Sequence, residues 1–486
     1  MSNVLKGLKP EGVFHYFETI CGIPHGSGNE KAISDYVVNF AKERGLEVRQ
    51  DEANNVVIRK PATKGYENAP VTMLQGHLDM VCEKNSDVDF DFEKDGLKLH
   101  IEGENIWASG TTLGGDDGIA VAMSLAILDD DTIEHPELEV LLTTDEEVGM
   151  KGATSLDTSD LRAKYLLNLD NECEGQILTS CAGGMKSRAT IPVRFVKANG
   201  TVVNVTVRGL KGGHSGAEIH CGRANANRLM GRLLFALDQK IDLGICEMNG
   251  GMKDNAIPRE SNAVLLIQND NDMKVFEEVC DQFRADVKDE FNVSDPDIEI
   301  AVDVKGNEEV NIFNPADMQK VLFMLVQSIN GIQTMSMELP GLVESSLNLG
   351  ILKTDVEKGN VLFSWAVRSS KRSLKFFMSD QLQYMTEFLG GEYWYEGEYP
   401  QWSYRSESKI RDLVAGTYKE MFGKEPSVEA IHAGLECGLI SEKMPDLDIV
   451  AIGPNIWDIH TPNEHMNIPS VERSYRMLLE VLKRIK

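Results

Sequence analysis

No run of the 486 residues is apolar for the roughly 18 positions that a membrane-crossing helix needs, so a helical membrane span is not expected. The N-terminus, MSNVLKGLKPEG, has early charge and a Pro-Glu-Gly turn where a secretory leader would have an apolar stretch, and a cytoplasmic location is the expectation. Positive charge is scarce: 49 Lys and Arg stand against 77 Asp and Glu, a net charge of −28. Such a field repels phosphates, which argues against nucleic acid or an anionic membrane as partner. The eight cysteines, at 21, 82, 173, 181, 221, 246, 280 and 437, include no C-x-x-C pair, so neither a zinc–thiolate site nor a redox motif is indicated. Scattered in this way, they are expected to be small buried hydrophobes, kept reduced. Aromatic content, 7%, is ordinary, and no low-complexity tract occurs. The length exceeds what one core supports, so two domains are expected.

What the chain does contain is an alternation of short apolar runs and helical patterns. VTMLQGHLD (71–79), ELEVLLTTDEEVG (137–149) and KYLLNLDNE (164–172) are buried strands, and TLGGDDGIAVAMSLAILDD (112–130) is a glycine-rich turn opening an apolar helix. These predict an α/β fold with a mostly parallel sheet flanked by helices. After about Gly184 the pattern changes to half-exposed strands (RATIPVRF, TVVNVTVRGL) and an amphipathic helix (GRANANRLMGRLLFAL). Residues 187–396 are therefore expected to be an inserted domain, with 1–186 and 397–486 forming the first. A weak echo between 255–267 and 342–370 suggests a duplicated α/β unit inside the insert.

The chemistry lies where the strands stop. His77, Asp79, Glu146, Glu147 and Asp170 all follow the last apolar residues of a predicted strand, the rim at which open α/β sheets collect ligands. With Asp116 and His460 they offer two imidazoles and several carboxylates, the donors two zinc-like ions want if one carboxylate bridges them. The acids of GGDDG (114–118) suit a cation and repel a phosphate, so a nucleotide loop is disfavoured. Asp79, two residues from His77, can take the proton on the ring nitrogen facing away from a metal. Of the adjacent pair Glu146–Glu147, one can ligate while the other, Glu146, accepts a proton from the attacking water and passes it to the leaving amine. Taken singly, each residue is as well read as a solvated loop acid, a helix-start acid or a packed histidine. Their concentration at strand ends is what favours a two-metal hydrolase.

QGHLDMVCEKN, TTLGGDDGIAVA, TTDEEVGMKGA, GLKGGHSGAEIH and HAGLECGL together resemble the M20 family of co-catalytic zinc peptidases, and within it the dipeptidases. The resemblance implies that His77 and Asp170 hold one ion and Glu147 and His460 the other, with Asp116 bridging through a residue whose next peptide bond is cis. Asp79 would orient His77, and Glu146 would be the general base. His465 is a rival for His460, but His460-Thr461-Pro462-Asn463-Glu464 fits the family pattern. The insert would be a lid and homodimerisation domain. In it His214, with His220 as rival, would approach the substrate carbonyl, and Asn255, Arg368 and Gly434 would bind the substrate's polar ends. The implied activity is hydrolysis of unblocked dipeptides, Xaa-His among them, with two divalent ions, zinc first and cobalt or manganese accepted by the same ligands. An N-acyl amino acid amidohydrolase on the same site, or a non-catalytic metal- or peptide-binding protein, are the alternatives.

Overall fold

The computed structural model of the protein describes residues 3–269 and 271–486. These form two units. The first runs to Cys181 and resumes over Trp402–Ala430 and Leu435–Lys486; the second is Ala182–Gln401 with Ile431–Gly434. The short return segment 431–434 lies outside the expected insert. It joins the second unit because the Ala182 N–H donates to the carbonyls of Ile431 and Ala433.

The first unit is built on an eight-stranded sheet. Its centre is parallel: Leu138–Thr143, Thr72–His77, Tyr165–Asn168 and Asp448–Ala451 lie side by side in that order. Every residue of the first two is buried, as strands covered on both faces require. Antiparallel strands flank this centre, Val56–Lys60 against Leu138–Thr143 and Gln176–Cys181 against Asp448–Ala451, so the sheet is mixed with a parallel core. The parallel register sets His77 beside Thr143 and Gln75 beside Asn168, which brings the carboxyl ends of three strands to one rim.

The helix Gly115–Asp129 is buried from Gly115 to Leu128, which explains its apolar composition on all sides. Close packing needs its small residues: a Cβ on Gly118 would lie 3.3 Å from Ile20 and 3.4 Å from Phe17. At its C-terminus the Lys60 ammonium donates to the carbonyls of Ile127, Leu128 and Asp130 at 3.1, 3.1 and 3.0 Å. Those are the acceptors that a helix end leaves without a partner.

The second unit contains one topology twice. Phe195–Arg208, Ala226–Asp238, Leu243–Gly250, Ser261–Ile267, Asp272–Glu290 and Glu299–Phe313 run strand, helix, strand, strand, helix, strand. Gly183–Pro192, Pro315–Gln327, Val343–Asp355, Asn360–Ser369, Arg372–Phe388 and Glu392–Tyr399 repeat that order. In both copies the spatial order is fourth, first, third, second strand. The copies join through their second strands, Asn249 opposite Lys353 and Gly250 opposite Leu352, making one nine-stranded sheet with Gly331–Met335 added at the side. Their first helices meet where the Arg228 guanidinium donates to the carbonyls of Leu325 and Val326. One copy is thus inserted between the first strand and first helix of the other.

All eight cysteines are unpaired. Cys21, Cys181, Cys280 and Cys437 are buried as expected, but Cys82, Cys173 and Cys221 are exposed. No helix among the described residues is long and apolar enough to cross a membrane.

Candidate metal centre

His77 ends its strand, and Asp79, Glu146, Glu147 and Asp170 follow within four residues of a strand end. Asp116 enters from the glycine-rich start of the buried helix, after Gly114 in the left-handed region at φ +65° and before a cis peptide bond to Asp117. His460 comes from the loop between the short paired strands Ile456–Trp457 and His465–Asn467, and its own φ is +62°. A non-glycine residue in that region is held there by its surroundings. That loop is tied internally, since the Glu464 N–H donates to the Thr461 carbonyl and the Thr461 hydroxyl to that of Asp458.

These side chains converge. The Asp116 Oδ1 lies 3.1 Å from His77 Nε2, and its Oδ2 lies 3.2 Å from His460 Nε2. Asp170 is 3.9 Å from the same His77 nitrogen, and Glu147 is 2.9 Å from His460 Nε2. Donor atoms of His77, Asp116 and Asp170 lie within 4.8 Å of one another, as do those of Asp116, Glu147 and His460. Ligands about 2.0–2.1 Å from a tetrahedral ion sit about 3.3 Å apart, so these separations fit two ions sharing Asp116. The nitrogen and oxygen donors, with no thiolate, suit zinc, cobalt or manganese. A third grouping, His77 with Glu146 and Glu147, satisfies the same 4.8 Å condition and puts Glu146 beside the two sets.

Asp79 is buried and does more than face His77. His77 Nδ1 is 3.0 Å from the Asp79 backbone carbonyl and 3.4 Å from its carboxylate. The carboxylate accepts hydrogen bonds from the Glu146 and Glu147 N–H groups at 3.0 and 3.3 Å and from the Ser27 hydroxyl at 2.8 Å. It therefore fixes the loop that presents both glutamates as well as the imidazole.

Charge is crowded here. Burial raises the Glu146 carboxyl to about 8; His77 opposes that rise, while Glu436 and Glu147 add to it. Burial works against ionisation of Asp116 too, but hydrogen bonds from both imidazoles hold it well below the carboxylate range. Hydrogen bonds to Asp116 and Glu147 lift His460 to about 10. His465, the rival ligand, instead stacks on Trp107 at 4.1 Å and directs Nδ1 to the Asn463 carbonyl.

The residues singled out in the insert lie in the second unit. His214 and Asn255 are neighbours because Gly213–His214 pairs with Ala256–Ile257. Arg368, buried, donates to the Tyr399 hydroxyl at 2.8 Å and lies 3.4 Å from His214 Nε2, with no carboxylate partner among the described residues. Gly434 belongs to the 431–434 segment of the same unit, and His220 is exposed on the turn beyond His214.

Three residues were missed by the pattern of the sequence. His432, two before Gly434, is buried and 2.7 Å from the Ser346 hydroxyl. Burial, then Arg368 and His214, lower it to about 3. Glu436 is buried beneath the rim, accepting from Gln75 at 2.7 Å and from Thr143. Glu464 is buried against the helix start that carries Asp116. All three sit inside quoted motifs (HAGLECG, HTPNE), so the signal was there, but nothing local announced a long-range hydrogen bond.

Residues 73–484 match the model of peptidase family M20/M25/M40. The chain belongs to that family. It is 38% identical over 483 residues, 99% of each chain, to a cytosol non-specific dipeptidase of Escherichia coli strain K12. Its fold superposes on an aminoacylhistidine dipeptidase from Vibrio alginolyticus with a TM-score of 0.92 and 38% identity, covering 100% of this chain and 98% of the other. Aminopeptidase PepT from Bacillus cereus, 14% identical with a TM-score of 0.56 over 98% of this chain and 99% of that one, shares the fold.

Proposed function

We propose that this M20 peptidase cleaves unblocked dipeptides, Xaa-His among them, in the cytoplasm, with two divalent ions, zinc first. His77 and Asp170 would hold one ion, Glu147 and His460 the other, and Asp116 both. The observation that carries this reading is the placement of the two Asp116 oxygens, one against each imidazole. The Escherichia coli and Vibrio relatives, both named as dipeptidases, support the substrate class.

When bound, the ions would lower the pKa of a water and polarise the scissile carbonyl. Glu146 accepts the water's proton and returns it to the leaving amine, a role that its place beside His77 and Glu147 suits. Asp79 keeps Glu146 in place through the backbone and fixes the His77 ring. In the second unit, Arg368, with no carboxylate partner among the described residues, would offer its guanidinium to a substrate carboxylate, His214 and Asn255 would offer donors to developing negative charge, and Gly434 would offer backbone.

Glu146→Gln should lower kcat by about 10² to 10⁴-fold, the usual worth of a general base, while metal analysis still finds the parental content. Turnover at the parental rate would remove Glu146 from the mechanism; loss of metal would make it a ligand. Assaying free dipeptides beside N-acyl amino acids separates a dipeptidase from an amidohydrolase.

A further inference from the structure

One carboxylate beside the metal centre is committed wholly to backbone. Glu464 Oε2 accepts from the N–H groups of Leu113 and Gly114 at 2.8 and 3.1 Å, and Oε1 from those of Gly115 and Asp116 at 2.8 and 3.3 Å. Four successive amides point to one side because Gly114 is left-handed, and such a concave run of N–H groups at a helix start binds anions. Here the acceptor is a side chain from about 350 residues along the sequence. It is 2% exposed, so the bonds face no competition from bulk water. The close approach also uses the bare Cα of Gly115, where a Cβ would come within 3.3 Å of Oε1.

Glu464 closes the same tied loop that carries His460. We propose that Glu464 is a positioning residue that locks the Asp116 loop to the His460 loop, so that the shared carboxylate and the second imidazole are set at their mutual distance before any ion arrives. This rests on reading Asp116 and His460 as ligands. Its consequence is for affinity: a ligand pair already held needs no ordering when the ion binds.

Glu464→Gln keeps size and shape but replaces one oxygen with an NH2 group. Either choice turns a donor toward two backbone donors, since each oxygen serves two amides. Zn²⁺ titration of the apo protein against a competing chelator should show the weaker of two sites lose at least tenfold in affinity, with circular dichroism unchanged. Lys60→Met, which loosens the other end of the same helix, is the control and should leave Zn²⁺ affinity within about twofold of the parent. The proposal is overturned if E464Q binds both ions as the parent does, or if K60M loses as much affinity. A parent that itself binds no Zn²⁺ would instead overturn the ligand reading. Should E464Q not fold, hydrogen exchange of the apo parent decides: amides 113–116 protected without metal support the lock, and exchange at open-loop rates overturns it.

Discussion

Gly76 must be glycine because of what stands beside it. A Cβ there would come 2.5 Å from Asp117 Oδ2 and 2.6 Å from the Ala120 Cβ, and Asp117 Oδ2 is the acceptor for the His77 N–H at 3.2 Å. Gly76→Ala should therefore cost about 1–3 kcal/mol, the usual range for overpacking a tight core, seen as a lower denaturant midpoint, and should reduce bound metal because Asp117 and His77 are displaced together. His432 makes a different prediction. Its folded-state value, about 3, lies below the ordinary 6.5. Its contribution is thus fully present above pH 6.5 and shrinks as pH falls from there toward 3, where the unfolded chain takes up a proton the folded one refuses. The slope from this group approaches about 1.4 kcal/mol per pH unit. Between pH 6 and 4, the stability of His432→Asn should fall less steeply than that of the parent; parallel curves would mean that the buried imidazole has no such role. The sequence made His77, Asp116 and His460 visible because acids and histidines interrupt apolar runs. It hid His432, whose environment comes from Ser346, Arg368 and His214.

At the scale of elements, the helix Gly115–Asp129 is held at both ends by buried side chains of opposite polarity, the Glu464 oxygens accepting from the amides and the Lys60 ammonium donating to the carbonyls. That polarity suits the partial charges of a helix, positive at its start and negative at its end. Lys60→Met should strand three carbonyls and cost about 1–3 kcal/mol, the penalty for leaving buried polar groups without partners, read as a lower thermal midpoint with metal content unchanged. Strand ends and this helix were legible because burial on both faces leaves a continuous apolar run and a polar break where the run stops. The edges of the sheet were less so. Gln176–Cys181 lies antiparallel beside Asp448–Ala451, itself parallel to Tyr165–Asn168, and alternation alone does not reveal a neighbour's direction. What clamps the ends of the apolar helix was not legible, since the two clamps come from Val56–Lys60 and from the far C-terminal loop.

For the molecule as a whole, the informative feature is the nested duplication in the second unit. The sequence echo set 255–267 against 342–370; by position in the repeat, Ser261–Ile267 corresponds to Asn360–Ser369 within those segments, while Val343–Asp355 corresponds to Leu243–Gly250, which the echo left out. The echo was faint because strands need only apolar alternation to keep their place, so the copies share a pattern with little else in common. The family resemblance implies a homodimer through residues 187–396. The duplication bears on whether that dimer is needed for turnover. His214 belongs to one copy and Arg368 to the other, yet they lie 3.4 Å apart in a single chain, with His432 beside them. A second subunit is not required to bring these groups together, because the pairing of the second strands already does so. Specific activity should accordingly stay constant on dilution from micromolar to low nanomolar protein, with sedimentation at matching concentrations reporting the assembly. A His214→Ala chain mixed with an Arg368→Ala chain should show no recovery above the sum of the two. Activity that falls with dissociation, or that returns on mixing, would mean that a partner subunit supplies one of these residues.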